Sequence, residues 1–78
     1  MPSTFVAPRA TLVVIPGLRH WRIARALTQE ELAQRASLNR VSVGRLETGT
    51  PARMSTIRRL AAALGVDPGD LMRQPPES

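Results

Sequence analysis

The residues with the clearest chemistry in this sequence are Arg40 and Arg45, which lie in the segment 39–47. If that segment is a helix, Val43 and Leu46 mark its inner side and the two arginines share the outer side. A guanidinium can bind the O6 and N7 acceptors of guanine with two hydrogen bonds, and it can also bind a phosphate. Arg40 and Arg45 are therefore candidates for contacts with DNA bases or with the DNA backbone.

Other residues on or beside this outer face fit the same partner. Val41 can touch a thymine methyl group. Gln29 lies at the start of the preceding expected helix, where its side-chain amide and a backbone N–H can bind a phosphate. Thr48 and Arg53 follow the segment 39–47 and can contact the neighbouring DNA strand. Gly44 has two explanations of equal weight: a close helix crossing or simple tolerance on one hand, and a deep approach of the helix to bases on the other.

The charge distribution favours a polyanionic partner. The 78-residue chain has eleven basic residues, all arginine, and six acidic ones. Residues 18–59 contain nine of the arginines and three glutamates, so this segment has a net charge of +6 and the remainder has −1. A strongly basic folded segment is typical of nucleic-acid binding. The alternative is that the arginines only solubilise a helical surface.

Residues suited to catalysis or metal binding are scarce. The chain has one histidine, His20, no cysteine and no tyrosine, and no glycine-rich phosphate loop. A surface role for His20 is favoured over a role as base or ligand. Trp21 is expected to belong to the core rather than to stack on a base. We therefore expect no enzymatic activity, no cofactor and no metal site.

The pattern of prolines and helix caps predicts five helices. None of the seven prolines falls between residues 17 and 50, which leaves room for three helices: about 18–26, one beginning at Thr28, and about 39–47. Thr28 and Glu31 match a capping box, and Asn39 is a good N-cap. A fourth helix is expected over 56–64 with Ser55 as its N-cap, and a short fifth one after Asp67. The expected apolar positions are Leu18, Trp21, Ile23, Leu27, Leu32, Ala33, Ala36, Val43, Leu46, Ile57, Leu60, Ala61, Leu64, Leu71 and Met72.

The ends of the chain look different from its middle. We interpret residues 1–16 as an N-terminal arm, 17–73 as a helix-turn-helix domain with the motif itself at 28–48, and 74–78 as a flexible tail. Residues 11–15 are rich in β-branched side chains and can form one short strand. Such a strand must pair with a second copy, pack on the domain or stay mobile, and the last two are favoured. No apolar run is long enough to span a bilayer, so we expect a cytoplasmic protein without membrane contact.

With these helices and residues, the chain resembles the Cro and phage-repressor type of helix-turn-helix protein, the XRE family. The resemblance covers about residues 18–72 and rests on three motifs together: the run 27–33, the pattern of Val43 with 46–47 and Gly49, and the run 60–66. It implies an all-α, compact, five-helix, lambda-repressor-like domain that binds palindromic double-stranded DNA as a homodimer. It also implies an ion pair between Arg22 and Glu47. With the outer-face residues above, the expected DNA-binding set is Gln29, Asn39, Arg40, Val41, Ser42, Gly44, Arg45, Thr48 and Arg53.

Three positions depart from the pattern of the family. Ser37 stands in the turn where glycine is usual, because one residue there needs a positive φ, and serine adopts it at a cost of about 1 kcal/mol. Ala26 replaces another usual glycine, and Met54 stands where proline is common. These substitutions affect the expected geometry of the turn and the expected start of the fourth helix.

The sequence therefore predicts a sequence-specific transcriptional regulator, most simply a repressor that acts as a homodimer through a recognition helix at about 39–47. One alternative is the antitoxin of a toxin–antitoxin pair, which would bind a protein partner, a toxin or co-regulator, as well as its own operator. Another is a pure protein-interaction module, since a fold does not fix a function. The arginines at positions 40 and 45 argue against the last alternative.

Overall fold

The structure is a computed structural model, and it describes residues 11–76. Within that range the elements in chain order are β1 (Leu12–Val13), α1 (Leu18–Ala24), α2 (Gln29–Ala36), α3 (Arg40–Glu47), β2 (Ala52–Arg53), α4 (Met54–Leu64) and α5 (Pro68–Met72). The prediction of a compact five-helix fold is confirmed. The remainder of the predicted arm (residues 1–10) and the end of the predicted tail (77–78) lie outside the described residues. In the part described, no helix is both long and apolar enough to cross a membrane.

One apolar core joins all five helices. Leu18, Leu32, Val43, Ile57 and Leu60 are completely shielded from solvent. They come from the four longer helices at the spacings that the sequence predicted, and α5 adds one further buried leucine. Burying a side chain of this size contributes about 1.5–3 kcal/mol, so this cluster supplies much of the stability of a domain with little surface to bury.

Most expected apolar positions face the core, but Ile23 does not. Trp21 and Met72 are partly buried against the cluster, whereas Ile23 is 56% exposed. The expectation that Ile23 adds to the core was therefore wrong. The reason is its place on α1: Leu18 and Trp21 define the inner side, and Ile23 lies two residues from Trp21, which is about 200° around the helix.

The expected short strand exists and pairs within the chain. The strands β1 and β2 pair in antiparallel orientation, with Leu12 opposite Arg53 and Val13 opposite Ala52. Just after β1, Ile15 is 1% exposed and belongs to the core. The described end of the predicted arm is thus packed on the domain, in agreement with one of the two favoured interpretations, and this strand does not need a second copy as its partner.

Two helix boundaries differ from the expectation. α1 ends at Ala24 rather than at residue 26, because Ala26 takes a φ of 57°, which a right-handed helix cannot accommodate. α4 begins at Met54 rather than at residue 56, so Ser55 lies inside the helix and is not its N-cap. The strand β2 leads directly into α4, with Arg53 in an extended conformation as the N-cap residue and no side chain capping the helix.

Candidate nucleic-acid interface

The geometry of the α2–α3 turn depends on Ser37. This residue is the C-cap of α2 with φ 57° and ψ 44°, in the left-handed region. The N–H of Leu38 donates to the carbonyl of Ala33 over 2.7 Å, and the N–H of Ser37 donates to Gln34 over 3.2 Å. These bonds close the turn in the way that glycine usually permits. Serine therefore adopts the positive φ that the family resemblance predicted for this position, and the turn has the geometry that glycine usually provides.

The start of each of the two helices is fixed by a side-chain cap. The Thr28 hydroxyl accepts the N–H of Glu31 over 3.0 Å, and the Glu31 carboxylate accepts the N–H of Thr28 over 2.9 Å. The bonds from the backbone and side chain of Thr28 lower the pKa of Glu31 below its ordinary value. At α3 the Asn39 carbonyl oxygen accepts the N–H of Ser42 over 2.8 Å. The side chain of Asn39 therefore caps α3, and the residue is exposed to solvent.

The outer face of α3 is open to solvent. Arg40 and Arg45 are exposed, and Val41 is 55% exposed, while Val43 and Leu46 are buried on the inner side. At the end of the helix, Thr48 donates its hydroxyl to the carbonyl of Arg45 over 2.9 Å, and the backbone N–H groups of Thr48 and Thr50 donate to the same carbonyl. The face thus presents two cations and one apolar side chain on a helix that is well defined at both ends.

Gly44 lies beneath the side chain of Gln29 from α2. A Cβ at position 44 would lie 3.6 Å from Gln29 Oε1 and 3.8 Å from Nε2, which is ordinary van der Waals contact. The glycine is therefore not required by a close helix crossing. This excludes the close helix crossing. Simple tolerance of the glycine and a close approach of α3 to DNA bases are the explanations that remain.

A buried ion pair connects α1 to the end of α3. Arg22 Nε lies 2.5 Å from Glu47 Oε2, and the second guanidinium nitrogen lies 3.1 Å from Oε1. The side chains are only 13% and 4% exposed. The hydrogen bond to Glu47 raises the pKa of Arg22 further, despite the opposing effect of burial. The resemblance implied this pair, and the sequence alone did not indicate it.

The ion pair also holds Gln29. The Gln29 amide nitrogen donates to Glu47 Oε1 over 3.1 Å, the same oxygen that Arg22 contacts. One amide proton of Gln29 is therefore committed inside the protein. The second proton remains at the start of α2, where a phosphate contact is expected.

Three arginines, Arg22 of this network among them, donate to main-chain carbonyls outside their own helix. Arg22 donates to Leu27 over 2.8 Å, Arg25 to Leu64 over 2.9 Å, and Arg59 to Ala36 over 3.0 Å. The acceptors of Arg25 and Arg59 are the last residues of α4 and α2, where carbonyls lack helical partners and cations are favoured. The acceptor of Arg22 lies in the turn between α1 and α2. The sequence analysis missed these roles for Arg25 and Arg59, since their partners lie 39 and 23 residues away in the chain.

Arg40, Arg45 and Arg53 differ from those arginines. Across residues 11–76 none of the three donates a hydrogen bond or forms an ion pair with another side chain. Arg45 and Arg53 line one depression together with Ser42, Thr50 and Thr56, and the other half of its lining is apolar. Thr50 and Thr56 were not among the predicted residues. On the other side of α3, Arg40 lines a second depression beside Gln29 at the start of α2.

The features that could suggest catalysis are weak. The His20 ring contacts Trp21 edge to face, with centroids 5.2 Å apart, and the guanidinium of Arg25 lies 5.3 Å from the centre of the Trp21 ring. No group of three or more histidine, cysteine or acidic residues suited to a metal occurs among the residues described. The exposed face of α3 instead carries two guanidinium groups and one apolar side chain.

Comparison with known proteins agrees with this geometry. A family model described as a helix-turn-helix domain matches residues 17–74. The structure is similar to the restriction-modification controller protein C.AhdI from Aeromonas hydrophila, with 40% identity, a TM-score of 0.67, and coverage of 69% of this chain and 83% of that one. It is also similar to a hypothetical transcription factor, NHTF from Neisseria, with 36% identity, a TM-score of 0.70, and coverage of 77% and 69%. No curated protein matches the chain. The chain belongs to the helix-turn-helix domain family, in its Cro and phage-repressor type, and is a DNA-binding domain of transcription regulation.

Proposed function

We propose that this protein is a sequence-specific transcriptional regulator that places α3 in the major groove of an operator. The observation that supports this proposal most directly is the division of the arginines. Arg22, Arg25 and Arg59 donate to the protein's own carbonyls, while Arg40, Arg45 and Arg53 are exposed around α3 without a partner in the described part of the chain. Cations without internal partners are available to an external anion.

The two depressions beside α3 suggest how the DNA backbone is bound on both sides of the groove. On one side, Gln29 and Arg40 offer an amide and a guanidinium next to the N-terminus of α2, where backbone N–H groups favour phosphate. On the other side, Arg45 and Arg53 share a depression with Ser42, Thr50 and Thr56. Phosphate contacts at both edges would fix the register of α3, and the side chains between them would read bases.

Between those edges, the outer face of α3 is expected to read the sequence. Val41 is suited to the methyl group of thymine, and a guanidinium of Arg40 or Arg45 that does not bind a phosphate is suited to guanine. Gly44 adds no side chain to this face, and its Cβ position is not sterically blocked by the protein. We infer that the glycine allows α3 to approach the bases closely.

The homodimer and the repressor role form the finer part of the proposal. The strand β1 pairs with β2 of the same chain, so an unpaired strand no longer argues for a dimer. The dimer therefore rests on the family resemblance, in which a two-fold protein binds a two-fold operator. Repression is the simplest mechanism for such a module, since a bound dimer blocks access to a promoter. A monomer in sedimentation at high concentration, both free and on a selected operator, would refute the dimer.

A second candidate function is control of a restriction–modification gene pair. It is favoured by the 40% identity to a restriction-modification controller protein over 69% of this chain. The two proposals differ in the target rather than in the mode of binding. A restriction enzyme gene and a methyltransferase gene beside the coding sequence, with a bound operator upstream of them, would support this candidate. An operator that controls only unrelated genes would contradict it.

Selection of bound sequences from a random DNA pool tests the proposal. We expect enrichment of a palindrome whose half-sites are separated by about one helical turn, roughly 10 base pairs. If Arg40, Arg45 and Arg53 of both protomers neutralise about six phosphates, the log–log dependence of affinity on salt should have a slope near −5. No enriched sequence together with a slope near zero would refute DNA binding by this face.

A further inference from the structure

We propose that Arg59 is a positioning residue for DNA recognition, because it clamps the turn that sets the angle between α2 and α3. This inference rests on the proposed function. Arg59 lies on α4, and it donates from Nε to the carbonyl of Ala36 over 3.0 Å and from a terminal nitrogen to the carbonyl of Ser37. A single planar guanidinium thus bridges two consecutive carbonyls at the end of α2.

The clamped turn is the strained one. Ser37 and Ala26 are the two non-glycine residues with positive φ among the residues described. At such a position a residue with a side chain is disfavoured relative to glycine, so neighbouring contacts must hold the backbone in place. Arg59 bonds to the carbonyl of Ser37 itself and to the one before it, which places its contacts directly on the strained residue.

The second strained turn is held in a related way. Next to Ala26, the carbonyl of Leu27 accepts a hydrogen bond from Arg22 over 2.8 Å. Both turns therefore combine a side-chain-bearing residue in the left-handed region with an arginine on an adjacent carbonyl. This repetition indicates that arginine contacts stabilise turns in which the backbone preference of glycine is absent.

The position of this clamp connects it to recognition. Only Ser37, Leu38 and Asn39 separate α2 from α3. A change in the turn would therefore rotate or shift α3 relative to the start of α2, where the proposed function places a phosphate contact. Arg59 does not lie on the outer face of α3 that is expected to read bases. Its expected effect on DNA binding is therefore indirect: it should change the discrimination between operator and random DNA more than it changes general attraction to DNA.

Arg58 provides a matched control. It lies next to Arg59 in α4, is exposed, and makes no hydrogen bond to the described part of the protein. Arg58→Ala and Arg59→Ala remove the same charge from the same helix. Ser37→Gly provides the complementary change, because glycine adopts the turn conformation without the clamp.

The first measurement tests the clamp without DNA. Amide hydrogen exchange of Leu38, whose N–H donates to Ala33, should be about tenfold faster in Arg59→Ala than in the wild type, and unchanged in Arg58→Ala. Ser37→Gly should remove most of that difference. Equal exchange in the two alanine variants would overturn the clamp. If Arg59→Ala does not fold, recovery of folding by Ser37→Gly supports the clamp and lack of recovery contradicts it.

The second measurement tests the role in recognition. The ratio of affinities for a selected operator and for random DNA, at fixed salt, should fall about tenfold in Arg59→Ala. In Arg58→Ala both affinities should fall together, and in the Ser37→Gly background the effect of Arg59→Ala should shrink. An unchanged ratio would overturn the positioning role even if the exchange result supports the clamp. A wild-type protein with no preferred DNA would instead refute the proposed function, while the exchange measurement would still decide whether the clamp exists.

Discussion

Removal of the Arg22 guanidinium is the perturbation whose effect on stability can be worked out most directly. Arg22→Ala would leave the carboxylate of Glu47, 4% exposed, without its ionic partner. It would also remove the hydrogen bond to the carbonyl of Leu27. Breaking a buried ion pair by deleting one partner costs about 3–5 kcal/mol, because the remaining charge is desolvated and uncompensated. The guanidinium is 13% exposed, so water can partly replace it, and we expect the lower end of this range.

A loss of about 3 kcal/mol is large for a domain of this size. Small domains have unfolding free energies near the lower end of the usual 5–15 kcal/mol, so this variant would retain less than about half of its stability. In a thermal melt followed by circular dichroism, Tm should fall by roughly 12–24 °C. Arg19→Ala is the control: Arg19 is on the same helix, exposed, and has no partner in the described structure, so its removal should change Tm by no more than a few degrees.

The double variant Arg22→Ala, Glu47→Gln tests the reason for the effect. Glutamine removes the charge but keeps an amide that can bond to Gln29, so the double variant should regain about 1–2 kcal/mol relative to Arg22→Ala alone. If urea titrations place Arg22→Ala within about 1 kcal/mol of the wild type, the pair behaves as a surface ion pair and the reasoning is wrong. If Glu47→Gln brings no recovery, the uncompensated carboxylate is not the source of the loss.

Three further variants test the site and its supports. Gly44→Ala should raise stability by up to about 1 kcal/mol, since its Cβ meets Gln29 at ordinary contact distance, yet it should weaken operator binding; equal or tighter binding in a gel-shift titration would contradict the role of Gly44 in close approach. Arg40→Ala should lower operator affinity by about 1–3 kcal/mol and relax sequence choice at one base step, whereas equal weakening on all sequences would assign Arg40 to a phosphate. The pKa of Glu31 is lowered by its bonds to Thr28, so its contribution to stability is present above pH about 4.5 and is lost as pH falls through the folded pKa. Glu31→Gln should therefore lose less stability on acidification than the wild type does, and parallel pH curves would refute this role of the capping box.

The sequence predicted best those features that depend on neighbouring residues. The capping box at Thr28, the N-cap at Asn39 and the inward positions Val43 and Leu46 follow from local hydrogen bonding and from the period of a helix, and the structure agrees with each. The positive φ at Ser37 was also anticipated, because the motif requires it whatever residue occupies the position.

Features that depend on distant parts of the chain were not predictable in this way. Whether β1 pairs with β2 or with another partner is decided by the position of Ala52 and Arg53 in the folded domain, which no local pattern encodes. The start of α4 at Met54, directly after β2, was not predicted either. The carbonyl partners of Arg25 and Arg59 depend in the same way on how the helices pack. In a surface with so many arginines, the sequence cannot show which of them are already bound within the protein.

The absence of lysine becomes understandable from these contacts. An excess of positive charge would serve DNA binding equally well with lysine, but Arg22 and Arg59 each contact two groups of the protein through several N–H donors of one rigid fork. A lysine at position 59 would keep the charge, yet its single ammonium group cannot reproduce the planar bridge between two consecutive carbonyls. At Arg40 and Arg45 the same fork suits guanine. Two different requirements therefore favour the same side chain, one for building the fold and one for reading DNA, and the charge that faces the groove is smaller than the composition implies.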